Sequence, residues 1–156
     1  MIEILIPGYK IFRFRHLVLD VNGTIAKDGR LIEGTEELLT KLRSKLEIHL
    51  ITADTHGGQE AINHQLNLVA FLIPVEKQPE AKLDYIEKLG ADTVAAIGNG
   101  ANDAAMLERS ALGIAVLGPE GTAAKTLEKA DVVVPSIQSA LELFLFPKRL
   151  IATLRR

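Results

Sequence analysis

Asp20 closes an apolar run, Leu17-Val18-Leu19, and is followed at once by Asn22-Gly23-Thr24. Such an unbroken run is the pattern of a strand buried on both faces, and the glycine lets the backbone turn sharply. In an open α/β sheet, ligands bind outside the carboxyl ends of the strands. A carboxylate there serves as a nucleophile or as a metal ligand. A strand followed by an ordinary Asn-Gly turn would look the same. What separates the two readings is a second acid-bearing strand end, AAIGNGANDAAML, over residues 95–107. Asp20 and Asn22 end one strand, Thr52 ends a second, and Asn99 and Asp103 follow a third, with Lys82 on the helix before it. These groups would converge on one edge of a parallel sheet.

The elements needed to position them can be read along the chain. Residues 2–6 and 9–15 flank Pro7-Gly8 and predict a β-hairpin. Leu17–Asp20 is the first buried strand, and Ile25–Ile32 reads as a small hairpin flap beside its end. A helix follows from about Thr35 to Lys45, with Thr35 as N-cap and Leu38, Leu39, Leu42 and Leu46 as its buried stripe. Strands at Glu47–Thr52, Leu68–Ile73, Thr93–Ile97, Leu112–Val116 and Asp131–Val134 then alternate with helices at Gln59–Leu66, Pro79–Leu89, Asn102–Arg109, Thr122–Lys129 and Ser136–Phe146. This alternation, joined by short loops, predicts a doubly wound parallel sheet covered on both faces. The 156 residues fit one domain: a hairpin over 1–16, a core over 17–146 and a basic tail over 147–156.

Composition narrows the chemistry. There is no cysteine, which excludes disulfides, thiolate catalysis and cysteine-based zinc or iron–sulfur sites. A formal net charge of -2 gives no reason to expect nucleic acid or an anionic membrane as partner. No apolar run reaches membrane-spanning length, and the amino terminus lacks the pattern of a secretory signal, so a soluble cytoplasmic protein is expected.

The ordered motifs DVNGT, ITAD, PEAK and GNGANDAAML resemble those of the haloacid-dehalogenase-like phosphohydrolases and of the phosphorylation domain of P-type ATPases, from about residue 17 to 134. The likeness is greatest to small soluble P-type-ATPase-like phosphatases, which implies a Rossmann-like α/β core without a cap domain. It further implies a Mg2+-dependent phosphohydrolase in which Asp20 attacks phosphorus and becomes an aspartyl-phosphate. Magnesium would bridge Asp20, the backbone carbonyl of Asn22 and the side chains of the GNGAND loop, Asn99 and Asp103. Thr52 would bond a phosphoryl oxygen, and Lys82 would set a positive charge against phosphate and nucleophile. Gly23, Thr24, Ala53, Asp54 and Asn102 fall around the phosphate by the same resemblance, although Asp54 also suits a helix cap. Gly98 and Gly100 would let the backbone pass close to the metal.

Two positions depart from the family pattern. Asn22 stands where such phosphatases carry a proton-shuttling Asp, and that help is typically worth about 10²–10⁴-fold. Asn99 stands where an acidic metal ligand is usual. Turnover should therefore be slow, and a phosphate- or Mg2+-binding regulatory or assembly module is the alternative function. The substrate expected is a phosphorylated small molecule or protein.

Other residues carry weaker signals. The flap Lys27–Arg30 and the hairpin, through Ile2, Ile4 and Ile6, are candidates for contact with a second copy; alternatively the hairpin extends the sheet of its own protomer. Lys77 competes with Lys82 for the phosphate role, and His56 either touches substrate or is a plain loop residue. His16, His49 and His64 lack the spacing of a zinc site. The basic tail reads as a solvated end.

Overall fold

A computed structural model describes residues 1–54 and 57–156. The chain opens with β1 (Ile2–Leu5) and β2 (Ile11–Phe14), an antiparallel pair, and continues into β3 (His16–Asp20). The flap is β4 (Ala26–Lys27) with β5 (Arg30–Leu31), and α1 (Thr35–Leu42) leads from it to β6 (Glu47–Thr52). Next come α2 (Gln59–Leu66), β7 (Phe71–Leu72), α3 (Gln78–Leu89) and β8 (Val94–Gly98). The chain ends with α4 (Ala104–Arg109), β9 (Leu112–Val116), α5 (Ala124–Lys129), β10 (Val132–Val134), α6 (Ile137–Leu145) and α7 (Pro147–Leu154).

Six strands form one sheet in the order β10-β9-β8-β3-β6-β7, and every pairing in it is parallel. From β3 the chain moves outward to β6 and β7, then returns to lay β8, β9 and β10 on the other side. The strand order thus reverses between β3 and β8, where a crevice forms at the carboxyl ends of such sheets. Asp20 ends β3 and Asn99 follows β8, so both stand at that crevice.

Period-two alternation divides the core. Leu17 and Leu19 face a cluster that holds Phe12 and Phe14 of the hairpin, Leu39 and Leu42 of α1, and Leu141 and Phe144 of α6. Val18 faces the other side, with Ile51, Ile86 of α3 and Met106 and Leu107 of α4. Removing each such side chain from water contributes ~1.5–3 kcal/mol, which anchors the strand that carries Asp20.

Several expectations need correction. The hairpin is a separate two-stranded sheet whose Ile2, Ile4 and Ile6 are buried in the core of this same chain. It neither extends the large sheet nor offers those residues to a second copy. Thr35 does not cap α1, because its side chain is buried and Gly34 occupies the N-cap at φ 82°; Leu38 is only half-buried. The strand predicted over 68–73 shrinks to Phe71–Leu72, with Val69 90% exposed. Thr122 stays in a loop, where its hydroxyl donates to the Val116 carbonyl at 2.6 Å. The basic tail folds as α7, which buries Leu150 against the core cluster. Among the described residues, no helix is long and apolar enough to cross a membrane.

Candidate active site

The site is built around a buried cation. Lys82 projects from α3 and is 1% exposed. Its Nζ donates to Asp20 Oδ1 at 2.7 Å and to Asp103 Oδ1 at 2.6 Å, with Asn102 Oδ1 at 3.4 Å. An ammonium has three protons, and these three oxygens engage them all. Burial works against the charge, but Asp20 and Asp103 outweigh it and hold the lysine pKa above its ordinary value. Lys77, by contrast, is exposed.

Asp103 is fully buried and commits both oxygens. Oδ1 meets Lys82, while Oδ2 accepts from the backbone N–H of Asn99 at 3.0 Å and of Gly100 at 2.9 Å. It therefore folds the Gly98–Asp103 loop onto Lys82. Burial, and then the charge of Asp20, push its carboxyl up to about 6, against the pull of Lys82 and the Gly100 N–H. Gly98 makes this packing feasible, since a Cβ there would lie 2.5 Å from the Asp103 carboxyl carbon. The space gained at Gly98 serves that carboxylate.

Thr24 is the second organiser. Its Oγ1 lies 2.9 Å from Asp20 Oδ2 and 3.0 Å from Asn99 Oδ1. Asn99 Nδ2 donates to the Gly121 carbonyl at 2.9 Å, which turns Oδ1 toward Thr24. A hydroxyl has one proton, so only one of the two contacts is a donation and the other sets oxygen against oxygen. Thr24 thus draws a carboxylate and an amide oxygen, Asp20 Oδ2 and Asn99 Oδ1, together beneath the cavity, and oxygens are the ligands a small hard cation takes. The donor set fits magnesium. Gly23 permits the turn at φ 82° and abuts Asn99, whose Nδ2 would lie 2.5 Å from an added Cβ.

A cavity of about 230 Å³ opens above these groups, lined by Asp20, Asn22, Thr52, Ala53, Gln78, Asn99, Gly100 and Asn102. Of the residues singled out in the sequence, Asp20, Asn22, Thr52, Ala53, Asn99, Gly100 and Asn102 reach it together. Gly23, Thr24, Asp54, Lys82, Gly98 and Asp103 do not line it. Lys82, Asp103 and Thr24 sit beneath, holding the residues that do. The Gly23 N–H is spent on the Ala26 carbonyl at 2.8 Å. Although Gly58 occupies the N-cap position itself, Asp54 accepts at Oδ1 from the N–H of Gln59, the first residue of α2, at 3.2 Å. Its own N–H donates to Thr52 Oγ1 at 3.0 Å, which leaves the Thr52 proton available to a ligand. Gln78 escaped notice; its Oε1 accepts from Asn102 Nδ2, and its place just before the PEAK motif was the available signal. His56 lies outside the described residues.

The family model of the haloacid dehalogenase-like hydrolases matches residues 3–110. The chain belongs to that family. As a haloacid dehalogenase-like hydrolase, it is 44% identical over 79 residues to an uncharacterised protein of Methanocaldococcus jannaschii, covering 48% of this chain and 85% of that one. It is 35% identical over 114 residues to a cadmium-transporting ATPase of Staphylococcus aureus, covering 70% of this chain but only 15% of the transporter. The hydrolase thus spans a small part of the transport ATPases that it matches. Its fold is shared with 3-deoxy-D-manno-octulosonate 8-phosphate phosphatase of Moraxella catarrhalis, at a TM-score of 0.68 and 20% identity, covering 91% of this chain and 94% of that one.

Proposed function

We propose that this hydrolase is a magnesium-dependent phosphohydrolase that works through an aspartyl-phosphate on Asp20. The observation that carries the reading is the Asp20 carboxylate at the floor of an oxygen-lined cavity, fixed at one oxygen by Lys82 and at the other by Thr24. Asp20, Asn99 and the backbone carbonyl of Asn22 would hold the ion. When bound, magnesium supplies the charge that draws phosphate and carboxylate together and aligns them for in-line displacement. The neighbour from Moraxella was solved with magnesium and phosphate, which supports this choice of ion.

The chain's own residues divide the work. Lys82 holds Asp20 oriented through the 2.7 Å contact to Oδ1 before any substrate arrives, so no reorganisation is needed at the moment of attack. Thr52 and Asn102, on opposite walls, donate to phosphoryl oxygens. An Asp20 oxygen attacks phosphorus, the bond from phosphorus to the leaving oxygen breaks, and that oxygen departs with the electron pair. Asn22 lines the cavity where a proton should meet it, yet an amide has none to give at neutral pH. Substrates whose leaving oxygen is already a weak base, aryl phosphates and phosphoanhydrides, are therefore preferred. Hydrolysis of the aspartyl-phosphate lacks a general base for the same reason, and is slow.

The same amide favours one further reading, a phosphate- and magnesium-binding module that has lost turnover. Both are tested by incubating the protein with Mg2+ and p-nitrophenyl phosphate. Release of nitrophenol that vanishes in Asp20→Asn is the expected result. Equal rates in parent and variant would overturn the assignment of the nucleophile, and phosphate binding without release in either protein would leave the module as the function.

A further inference from the structure

A second cluster of ligand-bearing side chains lies at the opposite end of the strands that carry Asp20 and Thr52. β3 and β6 pair in parallel with His16 beside Glu47 and Val18 beside His49, so His16, Glu47 and His49 share one face at the start of both strands. His16 Nδ1 is 3.1 Å from His49 Nε2 and 3.3 Å from Glu47 Oε2, and the latter two are 4.0 Å apart. Among the described residues this is the one group of three His or acid side chains with ligand atoms close enough for a common ion. It lies four residues from Asp20, about 13 Å along the strand.

We infer that His16, His49 and Glu47 form a second metal site, which takes a zinc-class divalent ion. A triangle with sides of 3.1, 3.3 and 4.0 Å has a circumscribed circle of radius about 2 Å. One point is therefore equidistant from all three atoms at the length of a zinc–nitrogen or zinc–oxygen bond, ~2.0–2.2 Å. The set of two imidazoles and one carboxylate selects zinc, cobalt or nickel over magnesium or calcium, which prefer oxygen alone. Without an ion, the two facing nitrogens need a shared proton between them; with one, both lone pairs are used.

The surroundings are those of a ligated imidazole. His49 Nδ1 lies 2.9 Å from the Tyr85 hydroxyl of α3, so its ring is oriented by a second partner, as metal-bound histidines generally are. Burial, and then His16, hold the His49 pKa below its ordinary value against the pull of Glu47. The Glu47 side chain is 74% exposed, so water completes the coordination. An ion here clips β3 to β6 at their starts and stiffens the two strands whose far ends bear Asp20 and Thr52.

The test is calorimetric titration of the tag-free, chelator-stripped chain with Zn2+ in saturating Mg2+, with thermal melts alongside. The expected result is one Zn2+ per chain and a melting midpoint that climbs with zinc concentration. His16→Gln and His49→Gln should lose both effects, Tyr85→Phe should bind about tenfold more weakly, and Asp20→Asn should bind as the parent does. Circular dichroism of the stripped variants separates lost ligation from lost folding. If the histidine variants do not fold, the Tyr85→Phe affinity and the Co2+ spectrum of the parent decide. Zinc binding that survives in folded His49→Gln, that disappears in Asp20→Asn, or that is absent from the parent would each overturn the site, whatever the phosphohydrolase assay shows.

Discussion

Replacing Lys82 by Met isolates what the buried cation does. Each of its two carboxylate contacts, at 2.7 and 2.6 Å, represents ~6 kcal/mol of gross attraction at an effective dielectric constant near 20. Desolvation of three ions consumes most of that, so the intact triad is close to neutral for stability. Its disruption is not. Methionine would leave Asp20 and Asp103 facing one another, one 7% and the other 0% exposed, with no counter-charge. Breaking a buried pair in this way costs ~3–5 kcal/mol, and at this chain length each kcal/mol lowers the melting midpoint by ~2–4 °C. The expected fall is thus ~6–20 °C in differential scanning fluorimetry with chelator present. Adding Asp103→Asn to Lys82→Met removes the more deeply buried of the two uncompensated charges and their mutual repulsion, and should recover more than half of the loss. Magnesium should protect Lys82→Met more than the parent, because it supplies cationic charge at Asp20 that the parent already has. A fall below ~3 °C, or a double variant no better than the single, would refute the electrostatic account of Lys82.

Three further outcomes follow from the same geometry. Asp103 titrates at about 6 in the folded protein against an ordinary 3.8, so the native state holds this proton more tightly than the unfolded chain does; the stabilisation is complete below about 3.8 and is lost as pH rises through about 6. Asp103→Asn should flatten that slope in metal-free melts between those pH values. Asn99→Asp sets a carboxylate oxygen where Nδ2 now meets the Gly121 carbonyl at 2.9 Å, so it should destabilise the protein without Mg2+ by about 1–3 kcal/mol and bind Mg2+ about tenfold tighter by titration. Asn22→Asp should raise turnover of alkyl phosphates by ~10²–10⁴-fold and that of p-nitrophenyl phosphate far less, and an equal gain on both would contradict the proton-shuttle argument.

The parallel sheet and the cavity-lining residues were legible because both are local in sequence. Asp20, Thr52 and Asn99 each follow an apolar strand run, and a strand's carboxyl end is where ligands gather. The tasks of Thr24, Asp103 and Lys82 were not legible to the same depth, because each depends on which partner its atoms meet across the fold. Asp103 reads as a metal ligand by type, yet its two oxygens are spent on Lys82 and two backbone amides. His16 and His49 are 33 residues apart, and only the register of β3 on β6 makes them neighbours. The amphipathic α7 was hidden by its charges, Lys148 and Arg149, which mark one exposed face while Leu150 supplies the buried one.

The sheet's outer margin at β7 has a consequence for behaviour in concentrated solution. Val69, Phe71, Leu72 and Val75 put apolar side chains into solvent there, a row that on a long strand would recruit another chain. Only Phe71 and Leu72 pair with β6; the Ile73 N–H adds one bond to the Thr52 carbonyl at 3.0 Å, and Pro74 after it has no N–H to continue the ladder. Brevity and that proline keep the row from acting as a template for aggregation. Pro74→Val should leave the chain folded and make it self-associate, read as a rise in apparent mass with concentration in analytical ultracentrifugation; an unchanged mass would refute the edge-blocking role.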